Sequence, residues 1–174
     1  MDRADLAAAL FTSSHLTGTF TLRSGRTATA YFDKYRFESD PTLLAAIGSH
    51  LLPLVPAGTD LLAGLELGGI PIATGLGLRS GLPMVFVRKV AKTYGTARLA
   101  EGADIAGRQL LIVEDVITSG GQVAMSTADL RERGAQVTDA LCVVDREEGG
   151  RETLAAAGIR LHALFTAREL RAAG

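Results

Sequence analysis

The chain of 174 residues is long enough for one domain with a sizeable core. Its formal net charge of −1 argues against a general nucleic-acid binder, because no excess of cations awaits a polyanion. The N-terminus lacks the basic start and apolar core of a signal peptide, and no apolar run approaches the roughly 20 residues that cross a bilayer. We therefore expect a cytoplasmic protein. The single cysteine, Cys142, allows no disulfide within the chain, and one Cys with three scattered His does not suggest a zinc site.

The N-terminal third predicts two helices separated by a hairpin. Asp2 can cap a helix that runs to about residue 12. Residues 18–26 alternate as a strand does and end in a Ser-Gly turn, and residues 28–33 follow as the hairpin partner. Asp40 followed by Pro41 marks the start of the next helix, which we expect to end before Pro53.

Beyond this point strands and helices alternate. The predicted strands are residues 61–65, 83–87, 110–113, 137–145 and 159–165. The predicted helices are residues 70–78, 123–133 and 152–157, and a last helix that begins with a capping box of Thr166 and Glu169. A polar segment, residues 88–108, interrupts the alternation. The pattern predicts an α/β fold with a parallel central sheet flanked by helices.

The most informative stretch is residues 110–122. Four aliphatic residues in a row predict a strand buried on both faces, and Glu114 and Asp115 stand where that strand should end. A Thr-Ser-Gly-Gly turn then leads into a helix, which suits a phosphate at the helix N-terminus. The acids suit sugar hydroxyls or a phosphate-bound Mg²⁺. Taken separately, the acids could be solvated strand-end residues, and Thr118 or Ser119 could be a simple helix cap.

Three further segments follow predicted strands. Residues 87–98 contain four cations and no acid, which would suit a pyrophosphate but would also suit an ordinary solvated loop. The paired glycines Gly68 and Gly69 could bring backbone amides close to a pyrophosphate, or could serve only a tight turn. Arg146 could bind a substrate carboxylate in a bidentate manner, or could form a salt bridge with Asp145 or Glu147.

Residues 110–122 resemble the signature of the phosphoribosyltransferases that use phosphoribosyl pyrophosphate (PRPP). With three other segments the resemblance narrows to the orotate phosphoribosyltransferase family and covers nearly the whole chain. Residues 20–26 resemble the family's opening motif, and Asp145-Arg146 resembles its base-site arginine. Residues 87–98, called the basic segment below, resemble its mobile catalytic loop. The resemblance implies a type I phosphoribosyltransferase core (about residues 41–158) under a small hood (about residues 1–40 and the chain end), with a mobile loop at about residues 88–108.

The resemblance also implies an activity: transfer of ribose 5-phosphate from PRPP to orotate, giving orotidine 5′-monophosphate and pyrophosphate in UMP biosynthesis. It implies a homodimer whose mobile loop reaches the neighbouring subunit's site. It implies Mg²⁺ as the cofactor, carried by PRPP, with Glu114 and Asp115 as the candidate protein ligands. On this basis we expect no nucleic-acid or membrane partner.

The site residues that the resemblance implies fall into three groups. Those expected to bind PRPP are Gly68, Gly69, Arg88, Lys89, Lys92, Glu114, Asp115, Val116, Ile117, Thr118, Ser119, Gly120, Gly121 and Gln122. Those expected to bind orotate are Arg23, Tyr31, Phe32, Thr118 and Arg146. Those expected to be catalytic are Lys89, Lys92 and Asp115.

Three residues depart from the family pattern. Arg23 stands where the family commonly has lysine, which keeps the charge. Tyr94 stands where the loop commonly has histidine, and Gly68 where the pyrophosphate turn commonly has lysine, so the roles of these two positions are open.

Two other functions are also compatible with the sequence. One is a phosphoribosyltransferase acting on a purine, which would offer Arg146 no carboxylate. The other is a PRPP-sensing regulator that binds nucleic acid. The near-neutral net charge and the basic segment both argue against this regulator.

Overall fold

The structure, a computed structural model, describes residues 1–21, 25–90 and 99–174. Its helices are α1 (Arg3–Ser14), α2 (Tyr35–Glu38), α3 (Pro41–Leu51), α4 (Gly69–Ser80), α5 (Gly121–Glu132), α6 (Gly150–Ala156) and α7 (Ala167–Ala172). Its strands are β1 (His15–Thr21), β2 (Thr27–Phe32), β3 (Leu61–Leu65), β4 (Met84–Val87), β5 (Ala100–Gly102), β6 (Gln109–Ile117), β7 (Gln136–Asp145) and β8 (Arg160–Thr166). A 3-10 turn, Leu52–Leu54, follows α3.

The central sheet has six strands in the order β5-β4-β3-β6-β7-β8. All neighbouring pairs are parallel except β4 and β5, which are antiparallel. The expected parallel α/β fold is therefore confirmed, with one antiparallel edge strand added. Strands β1 and β2 form a separate antiparallel hairpin. Because strands β3, β4, β6, β7 and β8 run in the same direction, their carboxyl ends lie along one edge of the sheet, where ligands of open α/β sheets bind.

The core consists of two apolar layers, one on each face of the sheet. Successive side chains of a strand point to opposite faces, and this alternation is visible in β6. Leu110 and Ile112 pack with residues of α5 and α6, whereas Leu111 and Val113 pack with residues of α1, α3, α4 and α7. The aliphatic run predicted to be buried on both faces is fully buried, with each of the four side chains at most 1% exposed.

The helix caps predicted from the sequence are confirmed. The Asp2 side chain accepts a hydrogen bond from the backbone N–H of Asp5, and the Asp40 side chain caps α3 with Pro41 in its first turn. At α7 both hydrogen bonds of the capping box are present between Thr166 and Glu169. These caps were predictable because each joins groups no more than three residues apart.

Several predicted boundaries are wrong. Helix α1 runs to Ser14, two residues beyond the predicted end, and β1 begins at His15 instead of residue 18. Strand β6 continues through both acids to Ile117, whereas we expected it to end before Glu114. Strand β5 lies within the segment expected to be an irregular loop. Its pairing with β4 is a long-range contact that no local pattern reports.

Within the described ranges, no helix combines the length and apolarity that a bilayer span requires.

Candidate active site

The helices that follow β3, β6 and β7 start differently from α7, which follows β8 at the same edge of the sheet, and from α1 and α3. The helices that follow β3, β6 and β7 have glycine N-caps without a side-chain hydrogen bond: Gly68 for α4, Gly120 for α5 and Gly149 for α6. By contrast, α1, α3 and α7 are capped by side chains: Asp2, Asp40 and Thr166. The first N–H groups of a helix have no intrahelical partner. At α4 and α5, each 12 residues long, these amides and the positive end of the dipole therefore suit an anion.

The predicted phosphate loop connects β6 to α5. Thr118 and Ser119 are exposed, and Gly120 is in the left-handed region with φ 75°. A Cβ at position 120 would lie 3.0 Å from the carbonyl oxygen of Gly150, so glycine is required there both by conformation and by space. A Cβ at Gly121 would meet only Ser119 Oγ, at 3.8 Å. The open side of the loop is therefore at Ser119 and Gly121.

Other residues assigned to the loop contribute differently. Ile117 is 2% exposed and its side chain belongs to the core, so only its backbone can face a ligand. Val116 is partly buried and packs against the opposite layer of the core. Gln122 is exposed and its amide donates a hydrogen bond to Ser126 Oγ at 3.2 Å.

The two adjacent acids lie within β6, where the strand has lost one neighbour. Strand β6 pairs with β3 only as far as Val113, but with β7 as far as Ile117. Glu114 is partly buried, and Asp115 is completely buried. Asp115 Oδ1 accepts a hydrogen bond from the N–H of Val116 at 2.5 Å. The acids are therefore not the solvated strand-end residues of the simpler alternative.

Two residues that the sequence analysis missed complete this cluster. Lys34, between β2 and α2, places Nζ 2.5 Å from Asp115 Oδ2. Glu38, at the end of α2, is 7% exposed and belongs to the same group of charges. Adjacent carboxylates were expected to need a cation, but only the fold reveals that Lys34 supplies it.

Electrostatic coupling separates the protonation states of these groups. Burial, with the hydrogen bond and charge of Asp115, raises the pKa of Glu38 to about 9. Burial and the charge of Asp115 raise the pKa of Glu114 to about 8. Burial also disfavours ionised Asp115, but its hydrogen bond with Glu38 and the charge of Lys34 outweigh this and lower its pKa. At neutral pH Asp115 is therefore ionised, whereas Glu38 keeps its proton.

The turn between β3 and α4 is built on close contacts. A Cβ at Gly68 would overlap the carboxylate of Asp115 and lie 2.8 Å from Glu38 Oε1. A Cβ at Gly69 would overlap the carbonyl oxygen of Val113 in β6. Both glycines are therefore needed because other groups approach their backbone, and neither has a positive φ. The peptide bond between Glu66 and Leu67 is cis.

The start of the basic segment is tied to this turn. The backbone N–H of Lys89 donates to Glu66 Oε1 at 2.7 Å, and the backbone N–H of Arg88 donates to the carbonyl of Leu99 at 2.9 Å. The Arg88 side chain pairs with Glu101 at 3.4 Å, and Lys89 is exposed. Lys92 and Tyr94, both singled out from the sequence, lie outside the described residues.

Three of the five residues expected to bind orotate line a concave pocket of about 650 Å³. Tyr31 and Phe32 of the hairpin line it together with Arg146 and Arg171. Phe11, His15, Ala28, Ala30, Val144, Ala167 and Leu170 complete the lining. Arg23, the fourth residue assigned to this side, is outside the described residues. Thr118 does not line the pocket but adjoins it, because the N–H of Arg146 donates to the carbonyl of the preceding Ile117 at 2.9 Å.

The ion pairs around Arg146 correct the sequence-based alternative. Arg146 was expected to pair with Asp145 or Glu147 if it did not bind a ligand, and it pairs with neither. Its guanidinium lies 3.1 Å from Glu148. Asp145 pairs with Arg151 and Glu147 with Arg168, at 3.1 and 2.6 Å. Those two acids are therefore already neutralised by other arginines.

A mostly parallel sheet that carries two adjacent acids and a glycine-started helix at its carboxyl edge, together with an N-terminal hairpin, is the architecture of a type I phosphoribosyltransferase. The family model of the phosphoribosyl transferase domain matches residues 45–157. An orotate phosphoribosyltransferase from a Nocardioides species is 51% identical over 170 residues, which cover 98% of this chain and 95% of the relative.

Solved structures agree with these sequence comparisons. The orotate phosphoribosyltransferase of Mycobacterium tuberculosis in complex with Fe(III) dicitrate superposes with a TM-score of 0.88 at 34% identity, covering 98% of this chain and 99% of the other. The same enzyme in complex with PRPP gives a TM-score of 0.84 at 30% identity, with the same two coverages. The chain belongs to the phosphoribosyltransferase family, among the orotate phosphoribosyltransferases.

Proposed function

We propose that this protein transfers ribose 5-phosphate from PRPP to N1 of orotate, releasing pyrophosphate and forming orotidine 5′-monophosphate for UMP biosynthesis. One observation carries the proposal: an open, glycine-started phosphate loop and an arginine-lined pocket meet at one point of the sheet edge. They are joined by the hydrogen bond from the Arg146 N–H to the carbonyl of Ile117, at 2.9 Å. A ligand that spans both must carry a phosphate at one end and an anionic ring at the other.

PRPP would lie along the carboxyl edge of the sheet. Its 5′-phosphate would accept hydrogen bonds from the loop between Val116 and Gln122, above the N-terminus of α5. Glu114 and Asp115 would bind the ribose hydroxyls. The pyrophosphate would lie over the Gly68-Gly69 turn, with Arg88, Lys89 and Lys92 as its cations. This placement is supported by the uncapped start of α4 and by the tie between Lys89 and Glu66.

Orotate would occupy the pocket beside the hairpin. Its carboxylate matches the planar fork of Arg146, and its ring matches the aromatic side chains of Tyr31 and Phe32. Arg171 adds a second positive charge to the lining. Arg23 and Thr118 remain proposed orotate contacts. A purine has no carboxylate for Arg146, and no feature of this pocket favours one.

Mg²⁺ would arrive with PRPP. Among the described residues, no group of three His, Cys, Asp or Glu side chains could hold a metal ion. Mg²⁺ usually takes one or two carboxylates and completes its shell with substrate phosphates and water. Glu114 and Asp115 are the residues that would contribute. When bound, the ion would neutralise part of the charge on the pyrophosphate.

In the reaction, the bond between C1′ and the pyrophosphate oxygen breaks and the bond between C1′ and N1 of orotate forms. The N1 proton leaves to solvent or to the departing pyrophosphate. Asp115 stabilises positive charge at the ribosyl centre by holding the ring hydroxyls. Lys89 and Lys92 stabilise the negative charge that develops on the leaving group. Positioning and charge stabilisation therefore carry the catalysis, with no covalent intermediate on the protein.

We also propose that the protein works as a homodimer in which the basic segment serves the neighbouring subunit's site. Support comes from the resemblance of residues 87–98 to the family's mobile loop. Lys92 would then act across the interface, whereas Asp115 acts within its own subunit.

The direct test is a pyrophosphate-release assay with PRPP and Mg²⁺, comparing orotate, uracil and adenine as acceptors. We expect turnover with orotate and at least about a hundredfold less with uracil, which lacks only the carboxylate. Asp115→Asn, a change of one buried charge, should lower kcat/KM by roughly ten- to a thousandfold while the fold is retained. Equal turnover of orotate and uracil, or preference for adenine, would reject the proposed substrate.

A further inference from the structure

The only cation that the described residues place in direct contact with Asp115 comes from the N-terminal hairpin region, not from the sheet. Lys34 directly follows the residue after β2, and its Nζ lies 2.5 Å from Asp115 Oδ2. The Asp115 side chain is 0% exposed, whereas that of Lys34 is 33% exposed. The lysine therefore reaches from the surface to a buried carboxylate, and it links the hairpin region to the sheet edge.

Asp115 has few other ways to be satisfied. Its Oδ1 accepts the N–H of Val116, but Oδ2 is a buried oxygen without a hydrogen bond of normal geometry among the described residues. A buried carboxylate that loses its partner bears the full cost of desolvation. Without Lys34, Oδ2 would lose the contact that holds it, and the carboxylate would be free to rotate towards solvent. Rotation would remove the oriented group that the ribose hydroxyls require.

Space around the carboxylate is restricted as well. The position that a Cβ on Gly68 would take is already occupied by the Asp115 carboxylate, with Glu38 Oε1 2.8 Å from the same point. Asp115 therefore lies directly over the glycine turn, and the ammonium group of Lys34 closes the arrangement on another side. One orientation of Asp115 is selected by the backbone of Val116, the bare Gly68 and the charge of Lys34 together.

We propose that Lys34 is a positioning residue of the active site, which holds the Asp115 carboxylate in one orientation over the Gly68 turn for PRPP. This inference rests on the proposed function, because it assigns Asp115 to the ribose of PRPP. It adds a residue that neither the phosphate-loop motif nor the basic segment contains. It also gives the hairpin region a part in PRPP binding, in addition to the orotate pocket.

The test compares Lys34→Met with Lys34→Arg, and uses Arg160→Met as the matched control. Arg160 also pairs with a mostly buried aspartate, Asp139 at 3.6 Å, but that pair lies near the amino-terminal start of β7, away from the site. The readouts are kcat, the separate KM values for PRPP and orotate, the Kd of PRPP by calorimetry, and the midpoint of urea unfolding.

We expect Lys34→Met to lower kcat/KM for PRPP by roughly ten- to a hundredfold, the range for losing a charge-assisted contact. The KM for orotate should change by less than about threefold, because Arg146 and its pocket are untouched. Lys34→Arg should restore most of the loss. Arg160→Met should alter neither KM, although it too removes a partner from a buried aspartate.

A double-mutant cycle with Asp115→Asn separates positioning from direct contact with the substrate. If Lys34 acts through Asp115, Lys34→Met should cost little more once Asp115 is already Asn. Additive losses would show that Lys34 binds PRPP independently and would overturn the proposal. An unchanged PRPP Kd and KM in folded Lys34→Met would also overturn it.

Failure of the proposed function and failure of the positioning role of Lys34 give different results. If wild-type protein binds PRPP but does not turn over orotate, the proposed function fails, and calorimetry of the Lys34 variants still tests the positioning role. If Lys34→Met does not fold, Lys34→Gln and Lys34→Arg replace it in the same measurements. A PRPP affinity that is the same in Lys34→Gln, Lys34→Arg and wild type would then reject the role of the charge.

Discussion

The guanidinium group of Arg146 lies 3.1 Å from the carboxylate of Glu148, although Arg146 also lines the pocket proposed for orotate. The two acids on either side of Arg146 in the sequence, Asp145 and Glu147, are paired with other arginines. Glu148 is therefore the carboxylate that occupies Arg146 in the ligand-free protein. Orotate binding would exchange this pair for one with the substrate carboxylate.

The exchange leads to a prediction for Glu148→Gln. Removing the competing carboxylate should tighten orotate binding by about two- to fivefold, because partly exposed ion pairs are worth about 0.2–1 kcal/mol. The Kd of orotate in the presence of pyrophosphate, measured by calorimetry, checks this. Glu132→Gln, the same change of charge at the far end of α5, is the control and should have no effect. Weaker orotate binding in Glu148→Gln would mean that Glu148 itself holds the substrate or orients Arg146.

Arg146→Ala should weaken orotate binding, which is the opposite of the effect expected for Glu148→Gln. Loss of a hydrogen-bonded charge partner should weaken orotate by roughly ten- to a hundredfold. PRPP should bind within about threefold of the wild-type affinity, because its proposed contacts lie on β6, α5 and the Gly68 turn. Separate titrations with orotate and with PRPP give the comparison. Equal losses for both ligands would instead assign Arg146 a structural role through Glu148.

Two neighbouring glycines of the phosphate loop should respond differently to alanine. Gly120→Ala should lower the free energy of unfolding by about 1–2 kcal/mol, because an L-residue is strained at φ 75° and its Cβ would lie 3.0 Å from the Gly150 carbonyl. Gly121→Ala should fold as well as wild type, since its Cβ would meet only Ser119 Oγ at 3.8 Å. Its methyl group would then stand on the open side of the loop.

Urea unfolding and PRPP calorimetry together test this pair. Gly121→Ala should keep the unfolding midpoint and raise the Kd of PRPP several-fold. Wild-type PRPP affinity in a folded Gly121→Ala variant would show that the 5′-phosphate does not bind at this face of the loop.

The pKa of Glu38 predicts a pH dependence of stability in the ligand-free protein. Burial and Asp115 raise this pKa to about 9, whereas an unfolded glutamate titrates near about 4.3. Between these values the folded state keeps a proton that the unfolded state has lost, so stability falls as pH rises. Glu38→Gln removes this contribution. The variant should match wild type near pH 4 and become increasingly more stable than wild type as pH approaches about 9.

Urea unfolding of both proteins across that range is the measurement, with exposed Glu132→Gln as the control. A stability difference that does not grow with pH would contradict the raised pKa of Glu38.

Sharing of the site across a dimer can be tested by complementation. Lys92→Ala and Asp115→Asn should each lose most of the wild-type activity when tested alone. After subunit exchange, one site of a hybrid dimer collects both defects and the other collects neither. With random exchange about half of the dimers are hybrids, so about a quarter of all sites should recover activity. Proven exchange without recovery would mean that the basic segment serves its own subunit, and the proposed PRPP site would stand unchanged.

Local patterns predicted the features whose physical causes are local. The caps at Asp2, Asp40 and Thr166 each depend on hydrogen bonds over three residues or fewer, and all three are present. The buried run of β6 was recognisable because a strand covered on both faces carries apolar residues without alternation. The family signature was equally local, because it lies within the consecutive residues 110–122.

Errors occurred where distant parts of the chain meet. Strand β5 was missed because its three residues are ordered by pairing with β4. The end of β6 was misplaced because β7 continues to pair with it beyond the two acids. The partner of Arg146 was wrong because Arg151 and Arg168, from α6 and α7, compete for the acids beside it.

The sequence by itself therefore determined the class of fold, the glycine turn after β6 and the acid pair, because each is encoded in a short run of residues. Only the tertiary structure decided how the acids are compensated. Lys34 contacts Asp115, and Asp115 and Glu38 both lie over the bare backbone of Gly68; the raised pKa of Glu38 follows from burial and from the charge of Asp115. Both quantities are sums over groups from separate elements, so they exist only once the chain has folded.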